Sequence, residues 1–174
     1  MDEKELDLVR METAVHRKYE KITGFLIRNG LTITTMESCT SGQVASLITD
    51  TEGASAVLKG AFVTYSNEGK IREGVPAETI EKYGVYSIET AVAMAEACRE
   101  AYRADIGVGI TGSFGNADPN NADSIPGEVF FALATGEGTK EFHCSVPVQP
   151  SRFEYKLYMA DKIADGLLVL LNAG

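Results

Sequence analysis

Between residues 37 and 42 the chain reads Glu37-Ser38-Cys39-Thr40-Ser41-Gly42, a carboxylate, three hydroxyls and a thiol in one short stretch. Such a run suits acyl transfer, because Ser, Thr and Cys are the side chains that form covalent acyl intermediates once a base activates them. Its placement matters as much as its content. Leu31-Thr32-Ile33-Thr34-Thr35 precedes it, starts after Asn29-Gly30 and reads as a strand. Val44, Ala45, Leu47 and Ile48 follow on one helical face. In α/β proteins ligands gather outside the carboxyl ends of strands. A helix start there offers free N–H groups and a positive dipole end to an oxyanion or a phosphate. The plainer role is structural, with Ser38, Thr40 or Ser41 capping the helix.

Two further segments are placed in the same way. Ala61-Phe62-Val63-Thr64-Tyr65 reads as a strand, and Ser66-Asn67-Glu68-Gly69-Lys70 as a turn entering a short helix. Ile106-Gly107-Val108-Gly109-Ile110 reads as a short strand buried on both faces, followed by a loop from Gly112 to Gly127 rich in Asn, Asp, Gly and Pro. Irregular connections of that length are usually functional or disordered. If the three strands are parallel neighbours, the loops Glu37–Gly42, Tyr65–Lys70 and Thr111–Asp118 converge on one sheet edge.

The remaining elements supply the frame. Residues 3 to 28 carry an apolar stripe of Leu8, Val15, Ile22 and Leu26 and predict a long helix stopped by Asn29-Gly30. Gly74-Val75-Pro76 separates two short helices. Ser87 caps a helix reaching about Arg103, with Glu89 in its first turn. Residues 128–135 and 139–147 form a hairpin around Gly136-Glu137-Gly138. Ser151 opens a last helix whose Leu157, Ile163, Leu167 and Leu170 face the core. Strands and helices alternate, which argues α/β or α+β.

Bulk properties narrow the function classes. The 174 residues are 44% hydrophobic, enough for one domain with a proper core. A net charge of −9 speaks against an extended nucleic-acid or anionic-membrane surface, though a small anion needs only a local cluster of donors. Cys39, Cys98 and Cys144 form no CxxC pair. The charged start Met1-Asp2-Glu3-Lys4-Glu5 leads into no apolar signal segment, so a reducing, cytoplasmic setting is expected. No apolar stretch is long enough to span a bilayer. His16 and His143 lie in no ligand spacing, so no His/Cys metal site is expected; an oxygen-ligand Mg²⁺ site stays open.

Glu37-Ser38-Cys39-Thr40-Ser41-Gly42, Phe62-Val63-Thr64-Tyr65-Ser66-Asn67-Glu68-Gly69-Lys70 and Gly109-Ile110-Thr111-Gly112 occur in that order. Together they resemble the C-terminal domain of CinA, the competence/damage-inducible protein family, across about residues 5 to 171. The stretch from Phe62 to Lys70 is the most specific. The resemblance implies one α/β domain over residues 1–174, three layers deep, with a central mixed sheet between helices. The molybdopterin-binding-like N-terminal domain of the full-length family protein is not expected in this chain. Stand-alone members are nicotinamide-nucleotide amidohydrolases of the pyridine nucleotide cycle. The implied reaction converts nicotinamide mononucleotide into nicotinic acid mononucleotide and ammonia by a Ser/Lys mechanism.

The matching positions are Ser38 as nucleophile and Lys70 as base. No His lies in the three loops, and a Lys serves as base once burial lowers its pKa. N–H groups near Thr40, Ser41 and Gly42 are expected to hold the oxyanion. Cys39 is a rival nucleophile, since thiols at helix N-termini can have depressed pKa values. Glu37 is expected to orient Lys70 or bind a ribose hydroxyl, Tyr65 to stack on the pyridine ring or bond the Ser/Lys pair, and Asn67 to bind ligand or set the turn. Thr111 and Gly112 are expected to line the nucleotide pocket, and Arg152 to meet the phosphate. No cofactor or metal is needed. The expected partner is a small pyridine nucleotide, with neither nucleic acid nor membrane, and a homo-oligomer is expected.

Two departures from the family pattern stand out. Ser41 occupies a position where the family has Gly, and the Gly112–Asn120 loop differs from the Gly-Pro-Gly-rich form common in the family. The rival functions are a nucleotide- or phosphate-binding module without turnover, and an interaction protein in competence or DNA damage.

Overall fold

A computed structural model describes residues 2–172; the expected domain's first residue and last two lie outside them. Asp2 caps α1 (Glu3–Asn29) in a capping box, its side chain accepting the Glu5 N–H while the Glu5 carboxylate accepts the Asp2 N–H. Gly30 ends the helix in the left-handed region that glycine adopts most cheaply. Then follow β1 (Ile33–Glu37), α2 (Gln43–Thr49), a 3₁₀ turn (Ala54–Ala56), β2 (Leu58–Val63), α3 (Asn67–Arg72) and α4 (Ala77–Tyr83). The chain continues through α5 (Ile88–Tyr102), β3 (Ile106–Gly112), β4 (Glu128–Thr135), β5 (Gly138–Ser145) and α6 (Arg152–Leu170).

The five strands form one mixed sheet in the order β2-β1-β3-β4-β5. β1 is parallel to both β2 and β3, whereas β4 runs antiparallel to β3 and β5. α1, α2 and α6 pack together over one face. Val15, Tyr19, Ile22 and Leu26 of α1 and Ile163 and Leu167 of α6 are fully buried there, with Val108 and Ile110 of β3. α5 covers the other face, burying Met94 and Cys98 against Met36 and Val75. The result is the α/β fold with a central mixed sheet between helix layers.

Gly107 and Gly109 let α5 settle against β3. A Cβ at either position would run into the α5 backbone at Ala91 or Ala95. All seven residues of β3 are buried, as their apolar run predicts.

β5 ends at Ser145 rather than 147, and three boundaries nearer the sheet edge also differ from the sequence expectation. β1 begins at Ile33 rather than Leu31, because the N–H and hydroxyl of Thr32 both donate to the Asp105 carboxylate at 2.7 Å and hold that residue in a junction. β2 spans Leu58–Val63 rather than 61–65; Gly60 sits in the strand, under the ring of Tyr102, where no side chain fits. Residues 67–70 are helix rather than turn: the Ser66 hydroxyl accepts the Gly69 N–H and caps α3, so Lys70 stands inside it.

Candidate active site

β2, β1 and β3 are parallel neighbours, so their carboxyl ends open on one sheet edge and the three loops that follow them meet there. They enclose a cleft of about 540 Å³. Ser38 and Cys39 lie in its wall, with Asn67 at the start of α3, Gly112 and Asp118 from the long loop, and Arg152 at the start of α6.

At its base, Lys70 Nζ lies 3.2 Å from Ser38 Oγ and donates to the Thr64 carbonyl at 2.9 Å. The two residues come from different segments, 32 positions apart. Lys70 is only 2% exposed and Ser38 7%. Burial of the ammonium lowers the Lys70 pKa to about 8, against smaller raising effects of Cys39 and Asp118. Beside it, the Thr64 hydroxyl is the one buried side-chain polar atom without a hydrogen-bond partner among the described residues.

The turn bearing Ser38 is wound around Glu37. This last residue of β1 is fully buried. Its carboxylate accepts the hydroxyls of Thr35 and Thr40 at 3.1 and 2.7 Å, and the N–H groups of Gly42, Val44 and Ala45 at 3.0, 3.2 and 2.9 Å. Glu37 therefore caps α2 from the strand end, in place of the expected Ser or Thr cap. Gly42 holds the N-cap position itself and no side chain of that residue type can cap there. With both oxygens occupied by the turn, Glu37 neither orients Lys70 nor reaches into the cleft.

Its neighbours in the turn are likewise structural. Thr40 is buried with its hydroxyl on Glu37, and Ser41 and Gly42 do not line the cleft. Ser41 adopts a φ of 53°, in the left-handed region, which is the physical reason glycine suits that position. The expected oxyanion donors shift accordingly. The Ser41 N–H donates to the Ser38 carbonyl, Gln43 to the Thr40 carbonyl, and Gly42 to Glu37. Among the described residues, the Cys39 and Thr40 amides alone in the turn have no oxygen acceptor; both face the Cys39 sulfur.

Cys39 faces the cleft but is 4% exposed, and burial together with the Glu37 charge pushes its thiol up to about 12. The helix start does not activate it, because the α2 amides are already spent on Glu37. Thr111 is buried and donates to the Val85 carbonyl at 2.9 Å, tying β3 to the segment before α5 instead of lining the cleft. Gly112 does line it.

Tyr65 is 62% exposed at the cleft mouth, where its hydroxyl accepts a bond from Arg152 Nη2 at 3.0 Å. The same guanidinium lies 5.4 Å from the ring centre of Phe114, which is buried and stacked on Tyr155. Arg152 is thus held between two aromatic groups from different loops. Asn67 Nδ2 donates to Asn121 Oδ1 at 3.0 Å, joining α3 to the long loop.

Sequence reasoning missed Tyr86, whose hydroxyl donates to Asp118 at 2.6 Å. Tyr86 follows no strand and belongs to none of the three loops; its only signal is its place beside the Ser87 cap. Asp118 sits within a loop singled out by composition, but nothing in the sequence pairs it with residue 86. Among the described residues no cluster of three or more His, Cys, Asp or Glu side chains could hold a metal ion, and no helix is long and apolar enough to cross a membrane.

Comparison with known proteins matches this geometry to one family. A protein of Acetivibrio thermocellus described as competence-damage inducible is 44% identical over 116 residues, 66% of this chain and 28% of that protein. The chain thus spans less than a third of that relative's length. The nicotinamide-nucleotide amidohydrolase PncC of Escherichia coli K12 is 43% identical over 128 residues, 72% of this chain and 77% of that one. Among solved structures, the competence/damage inducible protein CihA from Agrobacterium tumefaciens superposes with a TM-score of 0.81 at 29% identity, covering 91% of this chain and 95% of that one. A competence or damage-inducible protein from Enterobacter asburiae gives 0.81 at 25% identity, covering 90% and 98%. Residues 16–161, from the middle of α1 into α6, match the family described as CinA C-terminal domain, and to that family the chain belongs.

Proposed function

We propose that this chain is an amidohydrolase that converts nicotinamide mononucleotide into nicotinic acid mononucleotide and ammonia, with Ser38 as nucleophile and Lys70 as its base. The observation that carries the reading is the 3.2 Å approach of Lys70 Nζ to Ser38 Oγ in a buried setting that lowers the lysine's pKa to about 8. The name borne by the Escherichia coli relative supports the substrate.

With a pKa near 8, about a tenth of Lys70 is neutral at pH 7, several hundred times more than for an ordinary lysine. Neutral Nζ keeps a hydrogen for the Thr64 carbonyl and turns its lone pair to the Ser38 hydroxyl. As Oγ attacks the carboxamide carbon, its proton passes to Nζ. The Cys39 and Thr40 amides, which face the Cys39 sulfur, are the donors in the turn for the carbonyl oxygen as it becomes an oxyanion. The tetrahedral species collapses, the C–N bond breaks, and the Lys70 ammonium returns its proton to the departing nitrogen, releasing ammonia. Water then attacks the ester with Lys70 again as base, freeing the acid and the Ser38 hydroxyl. Arg152, fixed by Tyr65 and Phe114 at the mouth, supplies the cation for the 5′-phosphate.

The test is ammonia release from nicotinamide mononucleotide by wild type, Ser38→Ala and Lys70→Met, with free nicotinamide and asparagine as control amides. The expected result is release by wild type alone and only from the mononucleotide, with both variants down by about 10⁴-fold or more. No release by folded wild type overturns the hydrolase in favour of a binding module. Activity retained in Ser38→Ala moves the nucleophile.

A further inference from the structure

The cleft holds a fixed carboxylate for which the Ser38–Lys70 chemistry has no use. Asp118 Oδ2 accepts the Tyr86 hydroxyl at 2.6 Å and Asn121 Nδ2 at 2.5 Å, and Oδ1 accepts the Asn120 N–H at 2.9 Å. The Asp118 N–H donates to Ser124 Oγ at 2.7 Å, so backbone and side chain are both pinned. These bonds hold the carboxyl below the usual carboxylate range and keep it ionised. The Tyr86 hydroxyl, the Asn121 amide and both the N–H and the side chain of Asn120 bond it, so its charge is fixed in the cleft wall.

Its location is the reacting end. Asn121, which donates to Asp118, also accepts from Asn67, the first residue of α3, three positions before Lys70. The Asp118 charge is one of two groups that act on Lys70 against its burial. Arg152, the exposed cation of the cleft, is held instead by Tyr65 and Phe114. Glu68 also lines the cleft, but Arg152 and Asp118 are the cation and the carboxylate of its wall that a tyrosine hydroxyl holds, two fixed poles of opposite sign.

Resting on the proposed reaction, we infer that Asp118 is a specificity-determining residue that selects the positively charged pyridinium ring of the substrate. A pyridine mononucleotide with an oxidised ring is itself dipolar, cationic at the ring and anionic at the phosphate. Its carboxamide must reach Ser38 with the ring beside it, next to the Asp118 pole, while the phosphate reaches Arg152. A neutral ring gains nothing from that carboxylate.

The experiment measures binding by calorimetry, in a Ser38→Ala background so that no substrate is consumed. The probes are nicotinamide mononucleotide and its reduced form, which keeps ribose and phosphate but has an uncharged ring. Asp118→Asn is expected to weaken the oxidised nucleotide about tenfold and leave the reduced one within about twofold. Equal loss for both overturns the inference and assigns Asp118 to the ribose hydroxyls or to loop structure. No loss for either overturns it as well. Tyr86→Phe is the second arm, because it frees the carboxylate without removing it: the preference for the charged ring should fall about twofold to threefold, and an unchanged preference counts against the inference. Wild-type turnover is measured separately. Ring-charge preference without hydrolysis would sink the hydrolase reading and leave the role of Asp118 standing.

Discussion

Glu37 accepts the Thr40 hydroxyl at 2.7 Å, and with that bond the strand end and the turn that follows become one rigid unit. Five donors in all converge on this buried carboxylate. Ser38 is presented by that unit and owes its position to a neighbour that never meets the substrate. Glu37→Gln places an amide NH₂ against donors that it cannot satisfy. The expected cost is about 3 kcal/mol of stability, read by denaturant unfolding, with kcat falling more than KM changes.

Activity should rise with pH as Lys70 loses its proton. From pH 7 to well above 8, kcat/KM is expected to increase about tenfold and then level. A profile flat from pH 6 to 9 would remove Lys70 as the base.

The same group gives a stability signature of defined sign. The folded state holds Lys70 at about 8 while the unfolded chain holds it near 10.5, so between those values the unfolded chain binds more protons. Stability contributed through Lys70 therefore rises with pH across that window, by about 3 kcal/mol in total. Cys39 shifts the other way and overlaps it, so the measurement is the difference between wild type and Lys70→Met. That difference should shrink from pH 8 to 10.5, with the variant more stable at pH 7.

Cys39→Ala is expected to keep activity within about threefold of wild type, because a thiol held near pKa 12 supplies almost no thiolate at neutral pH. Iodoacetamide should label Cys39 slowly in the native protein. Rapid, inactivating alkylation at Cys39 would reverse the assignment of nucleophile.

Arg152→Gln should raise KM for the mononucleotide about tenfold or more with little change in kcat. The corresponding nucleoside, which has no phosphate, should lose nothing. Equal loss for both would place Arg152 in the support of Tyr65 and Phe114 rather than on the phosphate.

The three loops were legible because apolar runs end in hydroxyl- and glycine-rich segments, but the parallel adjacency of their strands comes from the sheet order and was only a condition of the sequence reading. The long helices were legible from their caps, Ser87 and Ser151 above all. Glu37 was not, because a glutamate beside a serine reads as a cleft group, and full burial of a carboxylate is rare unless donors surround it. Lys70 read as the end of a turn; only the Ser66 cap, one residue before Asn67, makes it helical. The Tyr86–Asp118 bond joins residues 32 apart through tertiary packing, which no local pattern encodes.

The direction change at β3 has a practical consequence. β3 arrives at the cleft and β4 departs from it, so both ends of the 113–127 segment are anchored in neighbouring strands. Lengthening such a segment adds little closure entropy, about 0.6 kcal/mol for each doubling. Ser38 stands in the turn after β1 and Lys70 on α3, while this span supplies Ser113, Phe114 and Asp118 to the cleft wall. A loop transplanted here must keep Asn121, whose bond to Asn67 reaches α3 three positions before Lys70, and a carboxylate at position 118, whose charge acts on that lysine.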